Sequence, residues 1–206
     1  MRVVLIHGID DTGSVFRRLE ADLRRAGHQT FVPEYHPSDG RISLPAAAEQ
    51  VVAALGRWND PPAPLAVIAF SMGGLIARYA LQVCGLGAPV RLLYTIATPH
   101  QGTQTARLRG GAGVRQMRPQ SEFLEKLRAT EDRLRGLRLV AAWTPLDLII
   151  LPAHNCRWPL AENRAFLVWL HPWLLRSRRV RRDVLATLAE SAAARGESGW
   201  SPMAPR

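Results

Sequence analysis

Apolar and polar positions along this chain follow two rhythms. Val3 to Ile6 and Leu65 to Phe70 are unbroken aliphatic runs, and Val90 to Ala97 is nearly so; such runs read as strands buried on both faces. Between them apolar residues recur at helical spacing. Phe16, Leu19 and Leu23 mark a helix from Val15 to Ala26 that Gly27 stops. Val51, Val52 and Leu55 mark another, opened by Pro45 and closed by Asn59-Asp60-Pro61-Pro62. Leu75, Ile76, Tyr79 and Val83 mark a third, and Gln29 to Pro33 reads as a further strand. Strands alternating with helices imply βαβ units and a parallel sheet.

After Gln104 the alternation weakens. An Arg-rich stretch with Gly110-Gly111 precedes an amphipathic helix from Phe123 to Leu134. Leu137 to Trp143 and Arg164 to Leu170 read as two more strands, and one last helix from Leu174 to Ala193 carries Val180, Val184, Leu185 and Leu188 inward. The expected fold class is α/β: an open, mainly parallel sheet of about six strands with helices on both faces. One domain spans 1–193, with an insertion at 100–136, and 194–206 is expected to be a disordered tail.

Composition changes this picture little. Cys84 and Cys156 supply neither a disulfide framework nor metal-ligand spacing, and are expected as free thiols. No cofactor or metal is implied. No signal peptide or run long enough to span a bilayer is read in the sequence as given, so a cytoplasmic location is expected, a leader trimmed from it aside, and the chain is expected to be a monomer. The net charge of +10 is almost wholly arginine, Lys126 being the only lysine. No nucleic-acid role is expected; a weak, salt-sensitive attraction to anionic membrane surfaces is.

The candidate chemistry centres on Ala69-Phe70-Ser71-Met72-Gly73-Gly74, between the strand ending at Phe70 and the helix after it. Small residues two positions either side of a serine fit a strand-to-helix turn too tight for larger ones, with the serine strained and exposed. The same turn aims the Met72 N–H and the positive helix end at an oxyanion. The plainer alternative is that Ser71 only caps the helix. In a parallel sheet, ligands sit at the carboxyl ends of the strands. With the chain order serine, acid, histidine, that filter leaves His171, after Phe166-Leu167-Val168-Trp169-Leu170, and Asp147, behind the preceding strand. Asp147 can also be read as a turn residue after Thr144-Pro145.

These segments together resemble small bacterial lipases and esterases of the α/β-hydrolase fold, over most of the chain. Val4-Leu5-Ile6-His7-Gly8-Ile9 resembles the family's His-Gly oxyanion strand, which implies that Ile9 supplies a second N–H. Residues 69–74 resemble its elbow, with Ala69 in place of glycine. Thr98-Pro99-His100-Gln101-Gly102-Thr103 resembles the loop after the next strand, and Arg115 to Leu124 a segment often found before the acid. Asp147 to Pro152 resembles the acid loop, and His171, followed here by Pro172, the base loop. The resemblance implies a serine hydrolase of carboxylic esters, with Ser71, Asp147 and His171 catalytic, Ile9 and Met72 as oxyanion donors, and His7, Gly8, Ala69, Gly73 and Gly74 in support. Phe70, His100, Leu148 and Ile149 are candidate pocket residues, and the substrate a small-molecule or lipid ester. Thioesterase, acyltransferase or phospholipid deacylase activity on the same triad stays open, as does a catalytically silent binding module for an acidic partner. The narrow stripe at Phe123, Leu124, Leu127 and Leu134 suits packing on the sheet better than a lid, so little or no lid is expected.

Overall fold

The aliphatic runs become six parallel strands in the computed structural model, which describes residues 1–193. They are β1 (Arg2–Ile6), β2 (Gln29–Phe31), β3 (Leu65–Phe70), β4 (Val90–Ile96), β5 (Arg138–Trp143) and β6 (Glu162–Ala165). The sheet order is β2-β1-β3-β4-β5-β6, and the register pairs Arg2 with Leu65 and Ile6 with Ala69. Successive strand residues face opposite sides. Val4, Ile6, Val67, Ala69 and Leu93 enter one core layer, while Val3, Leu5, Ala66, Ile68 and Phe70 enter the other.

Helices cover both faces. On the first lie α2 (Leu44–Trp58), α3 (Met72–Tyr79) and α5 (Glu122–Ala129), burying Val51, Leu55, Leu75, Ile76, Phe123 and Leu127. On the second lie α1 (Arg17–Arg25), α6 (Trp173–Arg176) and α7 (Arg178–Ala193), burying Leu19, Leu23, Leu174, Val180, Val184 and Leu188. Ser43 caps α2 through the Ala46 N–H, with Pro45 in its first turn. The three layers form an α/β-hydrolase fold.

Three expectations need correction. The final helix is two helices, because Ser177 turns extended (ψ 124°) between them. On one continuous helix Leu175 would face away from Val184, about 180° around, and the break lets Leu174 and Leu175 reach the core together with Val180, Val184 and Leu188. The last strand is Glu162–Ala165, not Arg164 to Leu170. It pairs only with Val140 to Trp143, since β5 ends before Pro145, which has no N–H to offer a neighbour. Phe166 N–H still reaches the Trp143 carbonyl, but the Val168 carbonyl then accepts from the Thr144 hydroxyl instead of from a strand. Charged Glu162 and Arg164 suit this short edge, where Arg164 binds Asp183 of α7 at 2.8 Å. The Gly-rich part of the insertion, finally, folds a short helix, α4 (Ala112–Gln116), fastened by Gly113 N–H to the carbonyls of Gly40 and Ile42. Val114, Met117, Phe123, Leu124, Leu127 and Leu134 are all buried, so most of the insertion's large apolar residues are spent on the core, Leu108 being the exposed exception. The tail expected to be disordered, 194–206, lies outside the described residues.

The close packing of α3 on β1 has a testable cost. A Cβ at Gly73 would stand 2.3 Å from the His7 carbonyl oxygen and 2.4 Å from that of Ile6, and backbone cannot rotate away. Gly73→Ala is expected to lose about 2 kcal/mol or more of stability, read as a lower urea midpoint at unchanged m. A parental midpoint would show that the contact yields.

Candidate active site

The sheet order reverses between β1 and β3, so the loops leaving these two strands part to opposite faces and open a crevice at their carboxyl ends. Ser71 stands there, between β3 and α3, with φ 52° and ψ −127°, a conformation that a non-glycine residue holds only under constraint. The constraint is visible. Ser71 N–H donates to the Ile96 carbonyl at 2.8 Å, and its own carbonyl accepts from Thr98 Oγ1 and Gly74 N–H, both at 3.0 Å. Its side chain makes no capping hydrogen bond, which removes the helix-cap reading.

The glycines are dictated by proximity. A Cβ at Gly74 would fall 1.9 Å from Thr98 Oγ1, and one at Gly8 would lie 3.0 Å from Ser71 Cβ and 3.2 Å from Asp11 Oδ2. The β1 loop is therefore held directly against the serine. Tyr35 Oη secures it, donating to the carbonyls of His7 (3.0 Å) and Gly8 (3.1 Å) and stacking its ring on His7 at 4.4 Å. His7 Nε2 lies 3.1 Å from Glu34 Oε2 but off the line a hydrogen bond requires. Met72 opens α3, where an N–H has no acceptor within the helix.

Asp147 and His171 come together from separate loops. His171 Nδ1 donates to Asp147 Oδ2 at 2.7 Å, both side chains being buried. The other oxygen of Asp147 accepts the N–H groups of Ile149 and Ile150, each at 2.9 Å. Asp147 is thus a turn residue and the partner of His171 at once. With Nδ1 occupied, Nε2 is the nitrogen left to accept a proton. The Phe70 ring, next to Ser71 in sequence, lies 5.0 Å from that of His171, so the imidazole sits over the end of β3. Pro172 closes the turn into α6 without displacing it. Leu148 and Ile149 stand out toward solvent. Phe70 and His100 are buried, and His100 lines a cavity behind the elbow with Arg78, Glu131 and Trp158. The groove of about 390 Å³ between Pro89, Gly136 and Glu190 is at the amino end of the sheet, away from this constellation.

Three features were not anticipated. Asp11 brings a half-buried carboxyl to the crevice; burial raises its pKa, against the pull of His7 and His171. Thr144 ties the acid loop to the base loop through Val168. Arg78 is buried behind the elbow, its guanidinium bonded to Glu131 (2.8 Å), Gln82 (3.1 Å) and His100 Nδ1 (3.3 Å), and stacked 4.4 Å over Trp158. Burial pulls its pKa down to about 10. The sequence did carry a signal for it: Arg78 falls three residues after Leu75 and beside Tyr79, on the apolar side of α3. His100 reads as a neutral ring here. Arg78 only donates, so Nδ1 accepts; the Thr95 hydroxyl is committed to the Val140 carbonyl, so Nε2–H donates to it at 3.0 Å.

Comparison with known proteins places the family and the fold. A family model described as palmitoyl protein thioesterase matches residues 2–143, ending before Asp147 and His171. No match is found among curated proteins. The mature lipase BlEst2 of Bacillus licheniformis superposes with TM-score 0.75 over 91% of both chains at 16% identity. The product of gene lin2722 from Listeria innocua gives 0.68 over 91% of this chain and 93% of its own, at 10% identity. Lipase B of Aspergillus fumigatus gives 0.63 over 80% of this chain and 44% of its own, at 17% identity.

The Arg78–His100 contact predicts a pH dependence of stability. Burial first, and the Arg78 charge second, hold the His100 pKa well below the usual imidazole range. The unfolded chain therefore takes up a proton near pH ~6.5 that the folded chain refuses, so the stability this group contributes is present above ~6.5 and lost as pH falls. The loss should approach about 1.4 kcal/mol per pH unit below that point. His100→Gln, which can still accept from Arg78 and donate to Thr95, is expected to flatten the slope in urea melts between pH 7.5 and 5. Identical slopes in the two proteins would reject this assignment.

Proposed function

The chain belongs to the palmitoyl protein thioesterase family of α/β-hydrolases, and from that premise we propose that it is a serine hydrolase cleaving carboxylic esters through an acyl-enzyme on Ser71. The observation that carries the proposal is the His171–Asp147 hydrogen bond, built over the end of the strand whose turn holds Ser71 at positive φ. In this reading Ser71 Oγ attacks the acyl carbonyl while His171 Nε2 takes its proton. The imidazolium that forms faces the Asp147 carboxylate, which holds the ring in the tautomer with Nδ1–H. The N–H groups of Ile9 and Met72 receive the oxyanion. Collapse of the tetrahedral intermediate expels the alcohol, protonated by His171, and a water repeats the cycle in reverse to release the acid.

A thioester in place of the ester is the second reading, favoured by the family match over residues 2–143. The two differ only in the leaving group, and the same residues serve both. Matched oxygen and sulfur esters of one acyl chain discriminate between them by their kcat/KM ratio.

Ser71→Ala and His171→Ala are each expected to lower kcat by about 10⁶, and Asp147→Asn by about 10⁴ through the wrong tautomer, with the fold retained by circular dichroism. Activity of purified Ser71→Ala within about tenfold of the parent would overturn the assignment, as would near-parental activity in Asp147→Asn. A fluorophosphonate probe should label Ser71 in the parent and nothing in Ser71→Ala.

A further inference from the structure

The large apolar side chains left in solvent are not scattered. Of the nine exposed among the described residues, eight come after the carboxyl ends of strands, seven on loops and Trp173 at the start of α6, and only Leu160 does not. Leu108, 87% exposed, follows a turn whose Gln104 N–H and Thr105 hydroxyl bond the acid loop at Leu151 and Ile149. Leu148, 71% exposed, is on the acid loop itself. Leu167 (76%), Trp169 (73%) and Trp173 flank His171. Leu167 and Trp169 belong to the run expected to be a buried strand. Because β6 ends at Ala165, their alternation with Phe166 and Val168 turns them outward instead.

The same end is ringed by arginine. Arg17, Arg18 and Arg176 line a groove of about 530 Å³ beside Pro172, the neighbour of His171, together with Asp11. Arg17 and Arg18 open α1. Cations at helix N-termini oppose the macrodipole, so helix stability does not account for them. Five separated apolar prongs interleaved with arginine do not form a flat apolar patch of the kind a second copy would cover. Two such chains, each at +10, would also repel. Tryptophan and leucine beside arginine are the side chains that settle at the boundary between acyl chains and anionic headgroups.

We propose that this end of the molecule is an interfacial face that docks on an anionic lipid bilayer. Leu108, Leu148, Leu167, Trp169 and Trp173 enter the acyl boundary, and Arg17, Arg18 and Arg176 meet lipid phosphates. The attraction is then apolar as well as electrostatic, and it needs no lid to uncover it.

Flotation of the full chain with vesicles of phosphatidylcholine and phosphatidylglycerol tests this, and Ser71→Ala protein separates docking from turnover. Both proteins should float with vesicles containing 30% phosphatidylglycerol and bind pure phosphatidylcholine less. Leu108→Ser with Trp169→Ser should weaken partition by about tenfold or more at fixed salt. Arg17→Gln with Arg18→Gln and Arg176→Gln should flatten its salt dependence. In the unaltered chain, hydrogen exchange of segments 146–151 and 167–173 should slow on vesicles, a readout that stands even where a variant unfolds. Absence of flotation overturns the proposal. So does binding that the Leu108/Trp169 double change leaves untouched, which would be charge adsorption alone. A lipid-free dimer that protects the same segments would make a second copy the occupant, and would overturn it too.

Discussion

The turn at Ser71 governs how closely four segments approach. A serine at positive φ between β3 and α3 is stable only if the helix can start within one residue of the strand's end. That brings the first turn of α3 onto the carbonyls of Ile6 and His7 on one side and onto Thr98 on the other, distances that only Gly73 and Gly74 allow. The strain is then repaid by bonds from outside the turn. Ile96, at the end of the strand paired with β3, and Thr98, just beyond it, hold the backbone of Ser71, and Ala97 between them takes φ 50°. The sheet order and the strained serine are therefore one constraint: β3 must lie between β1 and β4 for both sides of the elbow to be covered.

Asp147 and His171 are anchored differently, at the edge of the sheet. Asp147 keeps its orientation because Oδ1 is fixed by two backbone N–H groups, which leaves Oδ2 aimed at His171. Thr144 then couples the loops, accepting from Leu146 N–H and donating to the Val168 carbonyl. A longer β6 would have sent residues 166–170 along the edge and carried His171 away from the crevice. The short strand is part of how the site is assembled.

What the residues disclosed in advance follows from how local each signal is. The aliphatic runs, the Ala69-to-Gly74 turn and the serine–acid–histidine order were legible because burial on both faces, crowding at an elbow and strand-end placement leave marks within a few residues. The end of β6 was not legible. Phe166-Leu167-Val168-Trp169-Leu170 has a strand's composition, and only the end of its neighbour β5 at Trp143 shows that no partner remains. Arg78 was passed over for a similar reason: its compensation by Glu131, His100 and Trp158 comes from segments 22 to 80 residues away in the chain. A buried arginine of this kind stabilises less by its ion pair than it would destabilise if left alone, so its partners must be placed before its burial makes sense.

The exposed rim raises a further point about balance. Leu108, Leu148, Leu167 and Trp169 in water are a liability, since clustered apolar surface promotes association. Two features offset this. The prongs come from separate segments, and the Arg17–Arg18–Arg176 groove lies beside those that flank His171, so they do not form one flat apolar patch. The net charge of +10 also opposes close approach of copies while favouring an anionic surface. In the proposed docking, one charge distribution would oppose self-association and favour an anionic headgroup layer. The selectivity comes from the sign of the opposing surface, without a dedicated recognition loop.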